Sequence, residues 1–348
     1  MRKKEIEQTV SKWRKFYESK GIKQELIDVY LSYVRGLLDN NAPVIFDFEH
    51  LSLLLRIDRR LLSTMVNSSA SFYRQFCIPK RSGGQREITA PYESLKYVQT
   101  WIYEKVLSTV STHGCAHGFV AKRSILTNVK QHLGKPCLLK VDLKDFFPSI
   151  TINMVIQVFK SMGYTPEVSF YLASLCCHEG VLPQGSPASP TISNIVAKHL
   201  DRRLYRLARK FGYTYTRYAD DIAFSGDEIP VAFIKYVKEI VSDCGFAINE
   251  KKIRLYGQNG NKILTGISLA TGQPRVPRDY RRRLEKDLFY IRKYGIEAHM
   301  NHMKIRRYNY LESLMGQVDF WCMVESDNSF ASEMSAYLHS EYKKRLQQ

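Results

Sequence analysis

The sequence contains no long apolar run, and this absence excludes one class of protein at the outset. No stretch approaches the ~20 apolar residues that a membrane-spanning helix needs. The charged residues 1–5 are not followed by an apolar segment, so they lack the pattern of a secretory signal peptide. We therefore expect a soluble, cytoplasmic protein with no membrane partner.

Cysteine pairs at CxxC spacing are also missing. The seven cysteines form no CxxC pair, and an odd number in a long chain does not indicate a disulfide framework. The segment 176–178 (CCH) has no second ligand pair at zinc-finger spacing, which argues against a structural zinc site. Reduced and mostly buried thiols are the simplest expectation.

Acidic residues are scarce relative to basic ones. The chain has 34 Asp plus Glu against 52 Lys plus Arg, a formal net charge of +18. Such a surplus predicts a polyanionic partner, because Lys and Arg side chains that neutralise phosphates release bound counterions. Composition alone leaves one alternative open, a solvated basic surface with no such partner.

The chain has no internal repeat, no low-complexity segment and no Gly/Ser linker, which favours lobes packed against each other. Residues 1–70 show apolar residues at helical spacing, as in Ile6, Val10 and Trp13, and again in Leu26, Val29, Tyr30, Tyr33 and Leu37. Residues 71–270 mix strand and helix patterns. Residues 271–348 are basic and helical, with Arg281, Arg282 and Arg283 beside apolar positions.

The middle segment contains three strand patterns, and the second and third of them carry acidic residues. Two short strands, 76–79 and 86–90, flank a glycine-containing turn at 81–85 and predict a hairpin. The strand 137–143 is apolar except for Lys140 and Asp142. Strands at 213–218 and 222–225 flank a tight turn that carries Asp220 and Asp221, and a single long helix is predicted before them at 192–211.

Asp142, Asp220 and Asp221 are the candidate catalytic and metal-binding residues. Nucleotidyl transfer uses two divalent cations about 3.5–4 Å apart, and hard cations such as Mg²⁺ take oxygen ligands. An Asp-Asp pair alone is more often a solvated turn. Here it lies inside an aromatic and apolar run, where carboxylates destabilise the fold unless they serve a function.

These residues carry a resemblance to reverse transcriptases. The segment 218–221 reads YADD and resembles the YxDD signature in the form found in bacterial enzymes. Other segments resemble the family in the expected order between residues 78 and 266: IPK at 78–80, GGQR at 83–86, KVDLKDFF at 140–147, LPQGSP at 182–187 and GF at 245–246 with Asn249 and Lys252.

The resemblance also implies nucleotide contacts. The residues concerned are Lys80, Arg86, Phe147, Gln184, Gly185 and Lys252. Lys80 and Arg86 would pair with the triphosphate, unless they are solvated hairpin charges. Phe147 would lie under the sugar and exclude a 2′-hydroxyl, with a core aromatic as the alternative. Gln184 and Gly185 would let the backbone approach the nascent base pair closely, and Lys252 would protonate or neutralise the pyrophosphate.

Two elements are similar to those of retron reverse transcriptases. Residues 128–132 (NVKQH) resemble the NAxxH element, and 264–266 (LTG) resemble the VTG element, each with one apolar replacement. The resemblance implies RNA contacts by Asn128 and His132, for which an intramolecular hydrogen-bonding pair on a helix face is the alternative. Further RNA contacts are expected from basic residues, namely Arg123, Arg281, Arg282 and Arg283.

The resemblance implies an α+β right-hand polymerase. Its fingers and palm, an antiparallel sheet backed by helices, would occupy 71–270 after an N-terminal helical region, and a small α-helical thumb would follow. It implies two Mg²⁺ ions, with Mn²⁺ as a possible substitute, and dNTP substrates. The expected partner is a cognate non-coding RNA, primed from a 2′-hydroxyl to give a branched RNA–DNA hybrid (msDNA) that acts in anti-phage defence with a separate effector protein.

Two alternatives remain at this point. One is another bacterial defence enzyme, or a group II intron-derived one, that primes from an ordinary 3′-hydroxyl. The other is an RNA-binding scaffold with a vestigial polymerase site, because the chemistry of a site and not its fold determines function.

Overall fold

The N-terminal region is helical in the computed structural model, which describes residues 3–80 and 83–347. Its helices are α1 (Lys3–Ser19), α2 (Gln24–Asp39), α3 (Phe48–Leu55) and α4 (Arg59–Asn67). The apolar face predicted for α2 is correct at Leu37, which is buried, but wrong towards the start of the helix. Leu26 and Val29 are exposed, whereas Ile27, Leu31 and Val34 pack against α1. The aromatic residues near Leu26 made the wrong face look apolar.

The next element is the predicted hairpin, formed by β1 (Tyr73–Pro79) and β2 (Gln85–Pro91). The two strands are antiparallel from the pair Tyr73↔Pro91 to the pair Pro79↔Gln85. Of the predicted turn, Arg81 and Ser82 lie outside the described residues. The chain continues as α5 (Glu93–Trp101), a π-helical turn (Ile102–Leu107) and α6 (Ile125–Lys130).

An antiparallel sheet forms the centre of the molecule. Its strands are β3 (Cys137–Lys144), β4 (Thr214–Tyr218), β5 (Asp221–Gly226), β6 (Ala247–Ile248) and β7 (Arg254–Tyr256). Their order is β4-β5-β3-β6, and β7 also pairs with β3. The central position of β3 explains its nearly continuous apolar sequence, because both of its faces are covered.

Helices cover one face of this sheet. They are α7 (Ile152–Ser161), α8 (Pro166–Cys176), α9 (Ser189–Val196), α10 (Lys198–Lys210) and α11 (Ala232–Asp243). Alternate residues of β3, Leu139, Val141 and Leu143, face these helices. The single helix predicted at 192–211 is wrong. The helix is interrupted at Ala197, whose ψ of −5° ends α9 before α10 begins.

The C-terminal helices cover the opposite face. After a small hairpin of β8 (Ile263–Leu264) and β9 (Ile267–Ser268) come α12 (Arg278–Tyr294), α13 (Ile296–His302), α14 (Tyr310–Val324) and α15 (Ser329–Leu346). Leu138 and Ala223 of the sheet share one core with Leu284 and Trp321 of these helices. The C-terminal helices are therefore packed directly on the sheet.

No helix in the described part of the chain combines the length and apolar character that crossing a bilayer would require. All seven cysteines are free, as expected, but only two are buried, so the expectation of mostly buried thiols is wrong. The two buried ones, Cys176 and Cys177, have thiol pKa values raised by burial, which for Cys177 reach about 12. These thiols therefore stay protonated, as structural cysteines do.

Candidate active site

The sheet brings Asp142 and Asp221 together. They are directly opposite each other in the antiparallel pairing of β3 with β5. Directly opposed residues project from the same face, so both carboxylates lie on the side of the sheet that Leu138 and Ala223 share with the C-terminal helices. Asp220 precedes Asp221 at the tip of the β4–β5 hairpin, and its carbonyl accepts a hydrogen bond of 2.9 Å from the Leu143 backbone N–H.

The turn that carries the acidic pair has two central residues, Ala219 and Asp220, because Tyr218 is opposite Asp221. Ala219 has a φ of +56°, a conformation that side-chain-bearing residues rarely adopt. A Cβ built on Gly118 would lie 2.5 Å from the Ala219 backbone nitrogen, so only glycine permits the neighbouring segment to pack this closely. The turn is therefore held from outside the hairpin.

A buried arginine, Arg217, fixes the turn from beneath. Its guanidinium donates at 2.7 Å to both carboxylate oxygens of Asp201 and at 3.0 Å to the Ala219 carbonyl. The same group donates to Asn194, and the Tyr215 hydroxyl donates to Asp201. Both members of the ion pair are fully buried, so the guanidinium has exchanged water for a complete set of protein partners.

Burial and mutual repulsion raise the pKa of the two hairpin carboxylates. Burial raises the pKa of Asp221 to about 6, and the charges of Asp220 and Asp142 add to the rise. Burial likewise raises the pKa of Asp220, with a contribution from Asp142. The positive charge of Arg86 acts in the opposite direction on the pKa of Asp220, which places this hairpin arginine within electrostatic reach of the site.

Lys252 lies at the same cluster. Its ammonium group is 3.0 Å and 2.9 Å from the two carboxylate oxygens of Asp142, a hydrogen-bonded ion pair that raises the pKa of the lysine. The Asn249 backbone N–H donates to the Asp142 carbonyl at 2.8 Å and fixes the segment that carries the lysine. A cation therefore already neutralises one of the three carboxylates.

The three carboxylates fit a divalent cation by chemistry but are not arranged as a finished cage. Across residues 3–80 and 83–347, no group of three or more His, Cys, Asp or Glu side chains is placed to hold a metal ion. The donor set is nevertheless all oxygen, which hard cations prefer, and the raised pKa values of Asp220 and Asp221 indicate that added positive charge beside these two would be favourable. The ion pair between Lys252 and Asp142 would have to break before the Asp142 oxygens could bind such an ion.

The predicted nucleotide contacts are divided between a cavity and the exposed hairpin. A cavity of about 470 Å³ is lined by Phe147, Gln184 and Gly185, among others. Phe147 is half-buried and packs against the core in which neighbouring Phe146 is buried, so the sugar contact and the core alternative both stay predictions for Phe147. Lys80 is exposed at the end of the hairpin.

Gly185 has a structural reason for lacking a side chain. A Cβ at this position would lie 2.7 Å from the Thr89 carbonyl oxygen, and the Gln184 carbonyl accepts a hydrogen bond from the Thr89 N–H. The family resemblance predicts that the backbone at Gly185 closely approaches a nascent base pair. In the structure the group that closely approaches Gly185 is the backbone of strand β2. This contact docks the loop under the β1–β2 hairpin.

Two of the expected RNA contacts, His132 and Arg123, are engaged within the protein, and a third, Asn128, is buried. Asn128 and His132 are buried, and His132 bonds at 2.7 Å to the hydroxyls of both Thr216 and Ser225. Arg123 donates to the carbonyls of Gly114 and Ala116. The alternative of a hydrogen-bonding pair between Asn128 and His132 is not formed, because the ring nitrogens of His132 bond to Thr216 and Ser225 and the Asn128 side-chain oxygen has no hydrogen-bond partner among the described residues. Both side chains are buried, so direct RNA contact by either does not fit this geometry.

The arginine cluster of α12 is partly engaged as well. Arg281 is 3.6 Å from Glu285, and Arg283 donates to Gln317 of α14 while lying over the Tyr280 ring. Arg282 is exposed. RNA binding by this cluster stays a prediction.

Sequence reasoning did not identify Arg217, Asp201 or Gly118. One signal was present, because Arg217 is a charged residue in a short strand immediately before the acidic hairpin. Its partner Asp201 is 16 residues earlier, on α10, and only the folded structure shows the pairing.

Comparison with known proteins identifies the family. Residues 78–268, more than half of the chain, match the family model described as reverse transcriptase (RNA-dependent DNA polymerase). The retron Ec86 reverse transcriptase of Escherichia coli is 31% identical over 266 residues, which cover 75% of this chain and 83% of that protein. The chain belongs to the retron reverse transcriptases. The predicted family and the α+β polymerase fold are thereby confirmed.

Two Myxococcus xanthus proteins resemble this retron-type chain at higher identity. The retron Mx162 reverse transcriptase is 39% identical over 251 residues, covering 62% of this chain and 52% of that protein. The retron Mx65 reverse transcriptase is 38% identical over 254 residues, which cover 66% of this chain and 59% of that protein. The aligned part of the chain therefore spans between half and three-fifths of these longer relatives.

Proposed function

We propose that this retron-type chain is an RNA-directed DNA polymerase. The observation that carries the proposal is the pairing of Asp142 opposite Asp221 on one face of the sheet, with Asp220 next to Asp221 at the hairpin tip and the Lys252 ammonium bonded to Asp142. Membership of the reverse transcriptases supports the same reaction. The net charge of +18 suits a nucleic-acid template.

We propose Asp142, Asp220 and Asp221 as the residues that hold the metal. Reverse transcriptases generally use divalent ions, and we propose two Mg²⁺, with Mn²⁺ as a substitute. When bound, such ions activate the attacking hydroxyl and stabilise charge on the triphosphate. Lys252 would exchange its bond to Asp142 for the phosphate groups, since the released ammonium lies beside the same cluster.

The remaining site residues would bind and select the nucleotide. The positive charge of Arg86 acts to lower the pKa of Asp220, so this arginine is within electrostatic reach of the acidic residues. Arg86 would contact the triphosphate together with Lys80 of the same hairpin. Phe147 would lie against the sugar and exclude a 2′-hydroxyl. Gln184 and Gly185, held under the hairpin by Thr89, would form the floor of the pocket.

The direct test is primer extension by the purified chain on a defined RNA template. We expect dNTP incorporation with Mg²⁺ or Mn²⁺ and none after chelation by EDTA, restored when the metal is returned. RNA binding without any incorporation would contradict the enzyme and support the RNA-binding scaffold instead.

We further propose the retron mode of synthesis. The chain would start from a 2′-hydroxyl of a guanosine in a cognate non-coding RNA and produce a branched RNA–DNA hybrid. This proposal rests on the likeness to the retron proteins and on the NVKQH and LTG elements. We also propose a cytoplasmic location, which the seven free cysteines suit, and a role in anti-phage defence with a separate effector protein.

Nucleic acid that co-purifies with the chain tests the mode of priming. After sequencing, the 5′ end of the DNA is treated with a debranching enzyme that hydrolyses 2′–5′ linkages. Release of the DNA from its RNA supports retron priming. DNA joined through an ordinary 3′–5′ linkage would support the alternative of conventional 3′-hydroxyl priming.

A further inference from the structure

Phe119 has a backbone conformation and an exposure that folding does not explain. Its φ is +59°, in the left-handed region that a bulky side chain rarely occupies. Its ring is 46% exposed, so the strained backbone is not compensated by burial of the ring in a core. Strained residues of this kind cluster at functional sites, where the surrounding structure holds them in place.

The residues before Phe119 are fixed to the hairpin that carries the acidic pair. The His117 N–H donates to the Arg217 carbonyl at 2.7 Å, and the Gly118 carbonyl accepts from Asn194 at 2.8 Å. The missing side chain of Gly118 allows the chain to pass directly against Ala219. The position of Phe119 is therefore set relative to Asp220 and Asp221.

The Phe119 ring lines the cavity that also contains Phe147, Gln184 and Gly185, three of the six candidate nucleotide-binding residues. Its centroid lies 6.1 Å from that of Phe147, at an interplanar angle of 47°. Both rings line the cavity of about 470 Å³, as does Arg74; Lys96 lines it too but is paired at 3.2 Å with Glu93, which is also part of the lining. Aromatic faces suit the base and sugar of a nucleotide, and cations suit its phosphates.

We infer that Phe119 is a second specificity-determining residue of the nucleotide pocket. Together with Phe147 it forms an aromatic wall that holds the sugar and base of the incoming dNTP in line with the acidic hairpin. This inference rests on the proposed polymerase function. It assigns to Phe119 substrate binding and sugar selection, and assigns no proton or metal chemistry to it.

The test is steady-state single-nucleotide incorporation by Phe119→Asn, Phe119→Gly and Phe119→Tyr, with each dNTP and the matching rNTP. Asn and Gly both tolerate a positive φ, so they remove the ring without adding backbone strain. Phe170→Ala is the matched control, because Phe170 is 43% exposed on α8 and does not line the cavity. Thermal melting of every variant verifies folding.

We expect KM for dNTP to rise about tenfold in the Asn and Gly variants, with kcat within about threefold of the parent, because substrate binding loses an aromatic contact. Discrimination against rNTPs should fall in the same variants. Phe119→Tyr keeps the aromatic ring and should retain the KM of the parent. Phe170→Ala should have the same KM and the same sugar discrimination as the parent.

Unchanged KM and sugar discrimination in a parent that polymerises would overturn the inference and leave the proposed function intact. Loss of folding in both ring-deleted variants would assign Phe119 to structure alone and would overturn it too. A folded parent that incorporates no dNTP at all would remove the proposed function and this inference together.

Discussion

At the scale of single residues, the acidic hairpin depends on one buried cation. Arg217 bonds to both oxygens of Asp201 and to the Ala219 carbonyl, and Ala219 holds a positive φ at the start of the turn. Because both side chains of the ion pair are fully buried, water cannot solvate one of them when the other is removed. The position of the acidic pair and the stability of the fold are thus linked through this side chain.

Replacement of Arg217 should separate these two effects. We expect Arg217→Met to lower the free energy of unfolding by about 3–5 kcal/mol, since Asp201 is left buried without its partner. The double variant Arg217→Met with Asp201→Leu should recover much of that loss in chemical denaturation. It should still incorporate dNTPs more slowly than the parent, because the Ala219 carbonyl has lost its donor. Full activity in the double variant would show that the turn does not need the arginine.

Phe147 provides a test of sugar selection. We expect Phe147→Ala to raise rNTP incorporation relative to dNTP by about tenfold or more, because a cavity replaces the ring under the sugar. Phe146→Leu is the control: Phe146 is in the core, 5.6 Å from Phe147, and its change should lower stability without altering selectivity. Unchanged selectivity in Phe147→Ala would make the ring a packing residue.

The sequence identified the acidic residues and not their support. Asp142, Asp220 and Asp221 stand out because they interrupt apolar strands. Arg217 does not stand out, because a basic residue in a basic chain is read as a surface or RNA-binding residue. Its burial depends on Asp201 and Asn194, which lie on different helices.

At the scale of elements, α6 and the segment after it brace the sheet. His132 bonds to Thr216 of β4 and Ser225 of β5, the two strands that flank the acidic turn. Val129 of the same segment belongs to the core shared with the C-terminal helices. The NVKQH element therefore connects the sheet to that core, which explains why its Asn and His are buried.

The bracing histidine makes stability depend on pH. Burial, with a smaller effect from His117, lowers the pKa of His132 to about 3. Its unfolded pKa is near 6.5, so below that pH the unfolded chain binds a proton that the folded chain excludes. The folded state then loses stability as pH falls, by about 1.4 kcal/mol per pH unit for this group.

We expect His132→Gln to reduce the pH slope of the unfolding free energy by about that amount between about pH 4 and 6. The measurement is urea denaturation at several pH values. His117, whose pKa burial lowers to about 4, should maintain a residual slope in the variant. An identical slope in parent and variant would mean that His132 does not titrate in this way.

The elements were predictable where the pattern is local. Alternating or continuous apolar residues predicted strands β3, β4 and β5, and turn residues predicted the β1–β2 hairpin. The break at Ala197 and the error towards the start of α2 were not predictable, because tertiary packing decides both. Ala is a strong helix former, and nothing local at 197 signals an end.

At the scale of the whole molecule, the C-terminal helices present basic residues while sharing a core with the sheet. That shared core joins Leu138 and Ala223 to residues more than 60 positions later, such as Leu284 and Trp321. The helical and basic nature of 271–348 was readable from the sequence, but its contact with the sheet was not. The boundary at residue 270 stays a prediction, although Leu264 and Ile267 of the preceding hairpin lie in this core.

Charge neutralisation on α12 tests electrostatic RNA binding. We expect Arg281→Gln, Arg282→Gln and Arg283→Gln combined to weaken binding and to reduce the slope of log K against log salt by roughly 0.7–0.9 per lost phosphate contact. Arg14→Gln is the control, because Arg14 is paired with Asp28 in the N-terminal region. A salt-independent affinity in the parent would exclude an electrostatic account.

The most direct test of the central claim compares chemistry with binding in Asp220→Asn combined with Asp221→Asn. Primer extension and RNA affinity are measured on the same preparations with Mg²⁺ present. We expect dNTP incorporation to be abolished while the dissociation constant for RNA stays close to that of the parent, because the proposed metal ligands are lost and the basic surface proposed to bind phosphate is unchanged. Incorporation that survives in this variant would contradict that claim.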